Sequence, residues 1–210
     1  MEREIPPFEK SVFINCPFDD SYLPLLRVLI FSVIQCGFEP RIATERSDGG
    51  EVRLKKIVSI MGESMFSIHD ISRIEPLESG SLPRFNMPFE LGIDIGCREH
   101  GSEIHRTKRC LILEQERFRY QRVLSDIAGN DIKAHSNDPL AVVKAIRAWF
   151  AENSFCGLPS HSRIWEAYNQ FLVMLSDRAR DLGYEDGDYH EMPMTEYIYL
   201  VKLLSPPLMA

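Results

Sequence analysis

The sequence predicts an α/β protein built on a parallel sheet, and two patterns indicate this class. Short apolar segments, typical of buried strands, alternate along the chain with longer segments of helical periodicity. Such alternation is typical of strand–helix–strand units, whose strands lie parallel. Five apolar segments are assigned as strands, and right-handed connections between them would place helices on both faces of the sheet. We therefore expect a flavodoxin-like sheet with the strand order 2-1-3-4-5 and a C-terminal helical extension.

The individual segments are bounded by residues that favour turns or helix ends. The predicted strands are 11–16, 38–44, 65–71, 108–115 and a weaker 131–136. The predicted helices are 19–37, 51–64, 87–98, 118–129 and 138–153. In the first helix, Asp20 or Ser21 is the expected cap, and Gly37 ends the helix. The last helix is the clearest, because its apolar side chains recur at the helical spacing and share one face.

A helical extension follows the predicted sheet domain, and we place the domains at 1–152 and 153–210. The segment 155–162 has the composition of a linker. Beyond it, apolar side chains recur at helical spacing: Ile164, Trp165, Tyr168, Phe171, Leu172 and Leu175. A second apolar segment covers 195–204. Two interpretations stay open: a helical pair that packs on the sheet domain, or an interface between two copies of the chain.

The composition excludes several classes of protein. A net charge of −7 at pH 7 argues against general nucleic-acid binding, which needs a positive field. The amino terminus lacks the apolar stretch of a secretory signal, and the longest apolar run, 23–34, is too short to span a bilayer. Five cysteines without a CxxC pair are typical of free thiols in a reducing compartment. We therefore expect a cytoplasmic protein that does not bind membranes.

Polar side chains from three separate segments should meet at one edge of the predicted sheet. In open parallel sheets, ligands bind beyond the carboxyl ends of the strands, where the strand order reverses. In the order 2-1-3-4-5, this point lies between the first and third strands, which end at Asn15 and Asp70. Asn86 is the expected cap of the following helix, and Glu90 lies about one turn inside it. The partial positive charge of that helix end would help to keep Glu90 ionised.

The cluster has groups that could act on a sugar. An ionised carboxylate in a pocket can stabilise an oxocarbenium-like sugar cation or attack it, and Glu90 is the candidate for this role. Asp70 would bind ribose hydroxyls or share in the proton transfer. On spacing alone, the alternative that Glu90 is an ordinary solvated helix residue stays open.

The segment 84–92, RFNMPFELG, resembles the helix start of two groups of proteins. Its pattern R-x-N-x-x-F-E-L-G is formed by Arg84, Asn86, Phe89, Glu90, Leu91 and Gly92. It is similar to the corresponding helix of TIR-like nucleotide-binding domains and to the helix with the catalytic glutamate in nucleoside 2-deoxyribosyltransferases. The resemblance covers residues 10–150 and implies a flavodoxin-like fold. It also implies that Glu90 is the catalytic residue, with Asp70 at the mouth of the pocket.

The same resemblance implies that the chain cleaves or transfers at an N-glycosidic bond. The substrate would be NAD, a nucleoside or a nucleotide; no cofactor is implied, and NAD would enter only as substrate. The substrate-binding residues implied are Asn15, Cys16, Phe18, Arg84, Asn86 and Phe89. The resemblance further implies a bacterial toxin or antiphage defence effector. The apolar C-terminal helices, which the resemblance does not cover, are where a homo-oligomer would form. Hydrolysis and base transfer both stay open.

The possible substrates differ in what they require of the protein. The nicotinamide of NAD is a cationic leaving group that needs no general acid, whereas a neutral nucleoside base leaves better when protonated. One carboxylate therefore suffices for NAD, and Asp70 or His69 would supply the second group for a nucleoside. Basic residues around the second loop either meet phosphates or form a solvated face: Arg41, Arg46, Arg53, Lys55 and Lys56.

Three other functions compete with this one. A response-regulator receiver would use Asp70 as phosphate acceptor, but the fourth predicted strand ends without the hydroxyl side chain that such a domain needs. Cys97 and His100 are too few ligands for a metal site, and we expect none. The main alternative is a TIR-like module that binds a nucleotide or assembles without cleaving anything, since a fold does not fix a function.

Overall fold

The protein is described by a computed structural model that covers residues 5–76, 82–153 and 156–208. It is an α/β protein with a five-stranded sheet in which all strands run parallel. The strands are β1 (Ser11–Asn15), β2 (Glu39–Ile42), β3 (Phe66–Asp70), β4 (Arg109–Glu114) and β5 (Ile132–Ala134). Their spatial order is β2-β1-β3-β4-β5. The predicted flavodoxin-like order is therefore confirmed.

The two central strands bring their polar carboxyl ends together. Every residue of β1 and of β3 is buried, which agrees with the near-continuous apolar sequences of strands in parallel sheets. In the register of the sheet, Asn15 is the partner of His69, and Asp70 is the partner of Leu113 on β4. Asn15, His69 and Asp70 therefore lie at the same edge of the sheet.

The helices of the described residues follow the prediction closely, apart from their first residues. They are α1 (Leu23–Gln35), α2 (Arg53–Gly62), α3 (Asn86–His100), α4 (Pro139–Glu152), α5 (His161–Asp181), α6 (Asp186–Glu191) and α7 (Met194–Leu204). The cap position of α1 is Tyr22, so the predicted cap at Asp20 or Ser21 is wrong. Asp19 Oδ1 accepts a hydrogen bond from the Tyr22 backbone N–H at 3.1 Å instead. Gly37 follows α1 with φ of 80°, a left-handed conformation that glycine adopts without strain.

The helix predicted at 118–129 is wrong. Two short 3-10 helices occupy the segment instead: Arg119–Arg122 and Ser125–Ile127. Phe118, just before them, has a left-handed φ of 64°. The Arg119 guanidinium pairs with the buried Glu114 at the end of β4 and donates to the backbone oxygen of Ser72 at 2.8 Å. These contacts hold the segment at the sheet edge and outweigh its helical pattern.

The chain divides into two compact units. The first consists of Met1–Pro17 and Glu39–Asn137, and it contains the sheet, α2 and α3. The second consists of Phe18–Phe38 and Asp138–Ala210, and it contains α1 and α4 to α7. Compactness thus groups α1 and α4 with the C-terminal helices, whereas the sequence suggested a boundary after residue 152. The division into 1–152 and 153–210 as separate domains stays a prediction.

In the second unit, the predicted apolar stripe of α5 is covered by other helices. The Phe31 ring of α1 lies 5.2 Å from the Tyr168 ring and 5.3 Å from the Phe171 ring, centroid to centroid. Tyr197 of α7 packs edge-on against Phe171 at 5.8 Å, and its hydroxyl donates to the Arg27 backbone oxygen at 3.1 Å. Such aromatic pairs stabilise the unit beyond the burial of their surface. An oligomer through the C-terminal helices stays a prediction.

Two further predictions concern membrane-spanning helices and the linker after the sheet domain. Among the described residues, we find no helix with the length and apolar character needed to cross a membrane. The predicted linker 155–162 is described from residue 156 onward, and position 155 lies outside the described residues.

Candidate active site at the carboxyl ends of β1 and β3

Glu90 lies on the buried face of α3, close to the start of the helix. The buried residues of α3 recur at helical spacing: Met87, Glu90, Leu91 and Asp94. A separation of four residues puts Glu90 and Asp94 on the same face. The cap position is Phe85, so the prediction of Asn86 as cap is wrong. Phe85 already has near-helical dihedrals, with φ of −88° and ψ of −6°, and Asn86 is the exposed first residue of the helix.

The Glu90 carboxylate is enclosed and has no partner among the described residues. The residue is only 8% exposed, and no described residue forms a hydrogen bond or ion pair with it. Burial raises the pKa of Glu90, and the nearby His69 and Arg53 lower it by less. The predicted help of the helix end in keeping Glu90 ionised stays a prediction, and removal of water acts in the opposite direction. An enclosed carboxylate of this kind is a candidate functional group.

Asn15 ties the end of β1 to the first turn of α3. Its Nδ2 donates to the backbone oxygen of Met87 at 2.9 Å and lies 2.9 Å from Nδ1 of His69. Met87 stands three residues before Glu90 in the same helix. The hydrogen bond from Asn15 therefore fixes the position of the turn that presents the Glu90 carboxylate.

Both ring nitrogens of His69 form hydrogen bonds inside the protein. Because an amide nitrogen only donates, Nδ1 of His69 accepts from Asn15, and the proton of a neutral ring is on Nε2. Nε2 lies 3.1 Å from Oδ2 of Asp94 and donates to it. His69 is fully buried, so its geometry suits the support of neighbouring groups better than the transfer of a proton to a ligand.

Asp94 holds the inner end of this chain of hydrogen bonds. Its Oδ2 accepts from the Ser67 hydroxyl at 2.5 Å, and its Oδ1 lies 3.1 Å from Lys108 Nζ, which also donates to two backbone carbonyls at 2.8 and 2.5 Å. Burial by itself would raise the pKa of Asp94, but the hydrogen bond from His69 and the charges of His69 and Lys108 hold it well below its usual range. We call the following five residues the Asp94 network: Asn15, Ser67, His69, Asp94 and Lys108.

Sequence reasoning missed most of the Asp94 network. Asp94 was detectable, because it follows Glu90 by four residues and so shares its helix face. Lys108 was not, since the strand pattern gives no sign that a lysine next to β4 is buried on a carboxylate. The pairing of Asn15 with His69 depends on the register of two strands that are far apart in the sequence.

Three side chains near the network could be considered as metal ligands. Ligand atoms of His69, Asp94 and Cys110 all lie within 4.8 Å of one another. The Lys108 ammonium, however, already neutralises Asp94, and His69 Nε2 donates a proton to it. Burial raises the pKa of the Cys110 thiol to about 12, which opposes the thiolate that a metal needs. The chemistry of this donor set therefore does not fit a metal ion.

Asp70 is sealed inside the protein rather than placed at the mouth of a pocket. The residue is 0% exposed. Its Oδ1 accepts from the Ser72 backbone N–H at 2.9 Å, and its Oδ2 lies 3.0 Å from His135 Nε2. The Asn137 backbone N–H donates to His135 Nδ1 at 3.0 Å, which leaves the proton of a neutral ring on Nε2. The Ser72 hydroxyl lies 3.0 Å from the same Nε2, so these residues lack the two-sided histidine of a serine-nucleophile triad.

The remaining residues predicted to bind substrate fall into different environments. Cys16 is buried, and Phe18 is exposed and belongs to the second compact unit. Arg84 is exposed, and its backbone N–H donates to the Arg73 carbonyl at 2.9 Å. Phe89 is 57% exposed and, with the 60% exposed Phe85 four residues earlier, presents aromatic surface at the start of α3.

Most of the basic residues around α2 serve the fold. Arg41 is buried and pairs with Glu45 at 2.7 Å and with Glu63 at 2.9 Å. Lys56 Nζ donates to the backbone oxygen of Arg46 at 2.7 Å. Arg46 itself pairs with Glu51: the two charged groups are 3.5 Å apart. Arg53, at the first residue of α2, differs from these, because its charge acts on Glu90 and lowers the pKa of that carboxyl.

We compared the chain with protein-family models, with curated proteins and with solved structures, and no match was found. Function is therefore inferred from the geometry of the residues themselves. Three features carry that inference: Glu90, which has no partner among the described residues, the Asp94 network behind it, and the basic residue Arg53.

Proposed function

We propose that the protein hydrolyses an N-glycosidic bond, with NAD as the preferred substrate. The observation that supports this proposal is the enclosed carboxylate of Glu90, which has no partner among the described residues and lies on the helix following β3. Ligands of parallel α/β proteins bind beyond the carboxyl ends of the strands where the strand order reverses, which here is between β1 and β3. Enclosing a carboxylate without a partner costs stability, and groups with such perturbed ionisation are concentrated at functional sites.

In the proposed reaction, Glu90 acts in its ionised form. Where water is largely excluded, its charge stabilises the positive charge that develops at ribose C1′ as the bond to the base nitrogen breaks. The electron pair of that bond leaves with the base. A water molecule then adds to C1′ and loses a proton, or Glu90 attacks C1′ first and water cleaves the resulting ester.

NAD is preferred because its leaving group needs no proton. The pyridinium nitrogen is cationic, so nicotinamide departs as a neutral molecule when it takes the bonding electrons. His69 and Asp70 are the groups expected to protonate a neutral base, but both are fully buried and hydrogen-bonded. The one carboxylate that the described residues leave available, Glu90, is therefore sufficient for NAD and a disadvantage for an ordinary nucleoside.

The surroundings of Glu90 support the binding of a flat ring and a charged group. Phe85 and Phe89 expose aromatic surface one turn apart at the start of the same helix, and aromatic surfaces of this kind stack on bases. Arg53 adds positive charge on the side of α2. Within the Asp94 network, Asn15 keeps the first turn of α3 in place; His69 and Asp94 act as positioning residues.

The proposal is tested by incubating the purified full chain with NAD and, separately, with adenosine, AMP and the other common nucleosides and nucleotides. Released base is measured by chromatography at several protein concentrations, so that any assembly needed for activity can form. We expect release of nicotinamide from NAD to exceed release of any neutral base. Release from neutral nucleosides but not from NAD would contradict the substrate, and no release from any compound would contradict the proposed reaction.

Arg53→Gln should weaken the binding of NAD more than it slows the reaction. If Arg53 meets the diphosphate, its loss removes a charge-assisted hydrogen bond, and KM should rise about tenfold with a smaller change in kcat. Steady-state kinetics with NAD and with nicotinamide riboside, which carries no phosphate, separates the two cases. The riboside should show no change in KM.

Lys55→Gln is the matched control for this experiment, because Lys55 is the exposed basic residue two positions further along α2. Its removal should leave KM for NAD nearly unchanged. An equal increase for both variants would indicate a general field effect of surface charge and would contradict a specific phosphate contact at Arg53.

The second candidate function is a module that binds a nucleotide without cleaving it. The burial of Asp70 favours it, because a site with only one available carboxylate lacks the second group used by many glycosidases. Calorimetry distinguishes the two functions. Saturable binding of NAD without release of nicotinamide, abolished in Glu90→Ala, would support the binding module.

A further inference from the structure

The second compact unit contains a cavity that the proposed reaction does not use. Its volume is ≈ 540 Å³, which lies within the range of small-molecule sites. Residues of α5, of α6 and of the turn between them line it, among them Ser176, Arg180, Tyr184, Glu185, Tyr189 and His190. Two aromatic rings, a hydroxyl and basic side chains thus surround one space.

A buried arginine stands behind one wall of this cavity. Arg27 of α1 is only 5% exposed. Its guanidinium carbon lies 4.4 Å from the centroid of the Tyr189 ring and 5.5 Å from that of Tyr197, and its terminal nitrogen donates to the Tyr189 backbone oxygen at 2.6 Å. The guanidinium therefore makes cation–π contacts with the two tyrosine rings, and its one hydrogen-bond acceptor is a neutral backbone oxygen.

Arg27 has no anionic partner among the described side chains, and its Nε has no hydrogen-bond acceptor. The buried Arg41 differs in this respect because it pairs with two glutamates, and the partly buried Arg119 pairs with Glu114. Buried charges are normally paired, because an isolated one is costly. The Arg27 guanidinium behind the Tyr189 ring therefore carries a positive charge that no described side chain neutralises.

Some of the polar groups that line the cavity are already hydrogen-bonded within the protein, and others can contact a ligand. The carboxylate of Glu185 accepts from the backbone N–H of Asp188 in the capping box of α6. The Tyr184 hydroxyl donates to Glu196 Oε1 at 2.7 Å and keeps only its capacity to accept. The groups left to meet a ligand are the Ser176 hydroxyl and the basic side chains of Arg180 and His190. Arg180 uses one terminal nitrogen in an exposed ion pair with Asp177 at 3.3 Å, and its other N–H groups have no partner among the described residues. The balance favours a negatively charged ligand.

We propose that this cavity binds a small aromatic anion, a ring that carries a carboxylate or phosphate group. The ring lies against Tyr189, on the wall that covers Arg27, and the anionic group lies toward Arg180 and His190. The site lies wholly in the second unit, and it is independent of the reaction assigned to Glu90.

Phenyl phosphate is the probe, and benzyl alcohol and inorganic phosphate are the comparisons. Each is titrated into the full chain by isothermal titration calorimetry at low ionic strength. We expect saturable binding of phenyl phosphate, and binding at least about tenfold weaker for the neutral alcohol and for the anion without a ring. Tyr189→Leu and Arg180→Gln should each weaken the binding of phenyl phosphate about tenfold.

Arg163→Gln is the matched control, because Arg163 is an exposed arginine of α5 that does not line the cavity. It should bind phenyl phosphate like the unaltered protein. Arg27→Met should remove the preference for the anion over the alcohol; if this variant does not fold, the Arg180 and Tyr189 variants still decide. Absence of binding, equal binding of the alcohol, or equal losses in Arg163→Gln and Arg180→Gln would each overturn the proposal.

Discussion

Glu90→Gln is expected to abolish the release of nicotinamide from NAD, with a fall in kcat of at least about a thousandfold. Glutamine keeps the shape of the side chain but has no charge to stabilise the ribose cation and no nucleophilic oxygen. The rate of base release, measured by chromatography at saturating NAD, gives the result. Glu99→Gln is the control, since Glu99 is an exposed residue of the same helix that pairs only with its neighbour Arg98. Its rate should match that of the unaltered protein.

The pH dependence of the reaction should report the same carboxylate. Because burial raises the pKa of Glu90 above its ordinary value of 4.5, the reactive ionised form is lost on acidification at a pH higher than 4.5. The rate of nicotinamide release should therefore fall with a midpoint above that value. A rate that survives in Glu90→Gln would refute the assignment of Glu90.

Stability separates loss of chemistry from loss of fold in this variant. A carboxyl group with a raised pKa in the folded state binds its proton more tightly there than in the unfolded chain. Its ionisation therefore destabilises the fold above the folded-state pKa, and this cost is absent below about pH 4.5, the unfolded value. Glu90→Gln should melt at a higher temperature than the unaltered protein at neutral pH, with no gain in acid. A lower melting temperature at neutral pH would indicate a structural role.

Asp94→Asn is expected to give the largest loss of stability. The carboxylate is nearly fully buried and faces Lys108 at 3.1 Å, so the amide leaves an ammonium in the interior without a counter-ion. Breaking a buried pair in this way costs about 3 kcal/mol. For a chain of this size, that loss lowers the melting temperature by about 10 °C. Thermal denaturation followed by circular dichroism at neutral pH measures it.

The effect of Asp94→Asn should depend on pH in the opposite sense to that of Glu90→Gln. The folded-state pKa of Asp94 is lowered from 3.8, so its contribution to stability is complete above that value and disappears as the pH falls further. The difference between the variant and the unaltered protein should shrink in acid. Asp177→Asn removes an exposed ion pair with Arg180 and should change the melting temperature little.

A double variant tests the cause of that loss. Asp94→Asn combined with Lys108→Met removes both charges, and it should recover much of the stability lost by the single change. If the double variant is less stable than Asp94→Asn, the pairing of Lys108 with Asp94 is not the origin of the effect. The single variant should also lower the rate of base release at temperatures where it is folded. The hydrogen bond from His69 to the Asp94 carboxylate is lost, and His69 in turn no longer holds Asn15 in place.

Local patterns in the sequence predicted the fold well, and they predicted the site only in part. The apolar alternation located all five strands, since burial of a parallel strand leaves a continuous apolar run. The strand order then brought Asn15 to the helix of Glu90. The same order put Asp70 at the edge of the sheet, but it could not indicate that Ser72 and His135 seal this carboxylate from solvent.

The failures arose where contacts distant in sequence outweigh local preference. The helical pattern of 118–129 is not followed, because Arg119 is bound by Glu114 and the Ser72 carbonyl. The sequence indicated that the helix end would help to keep Glu90 ionised, but it could not indicate that burial raises the pKa of this carboxyl. Helix ends act over one turn, whereas burial depends on every element packed around the group.

By itself, the sequence determined the α/β class, the strand order and the position of Glu90 near the start of α3, because these follow from periodicity and from rules of connection. Only the tertiary structure decided which polar groups remain available. Within the described part of the chain, it left Glu90 without a partner, placed Asp70 and His69 in hydrogen bonds, and buried Arg27 against the Tyr189 ring. The physical reason is that the ionisation and hydrogen bonding of a side chain depend on its neighbours in space, which no local sequence pattern specifies.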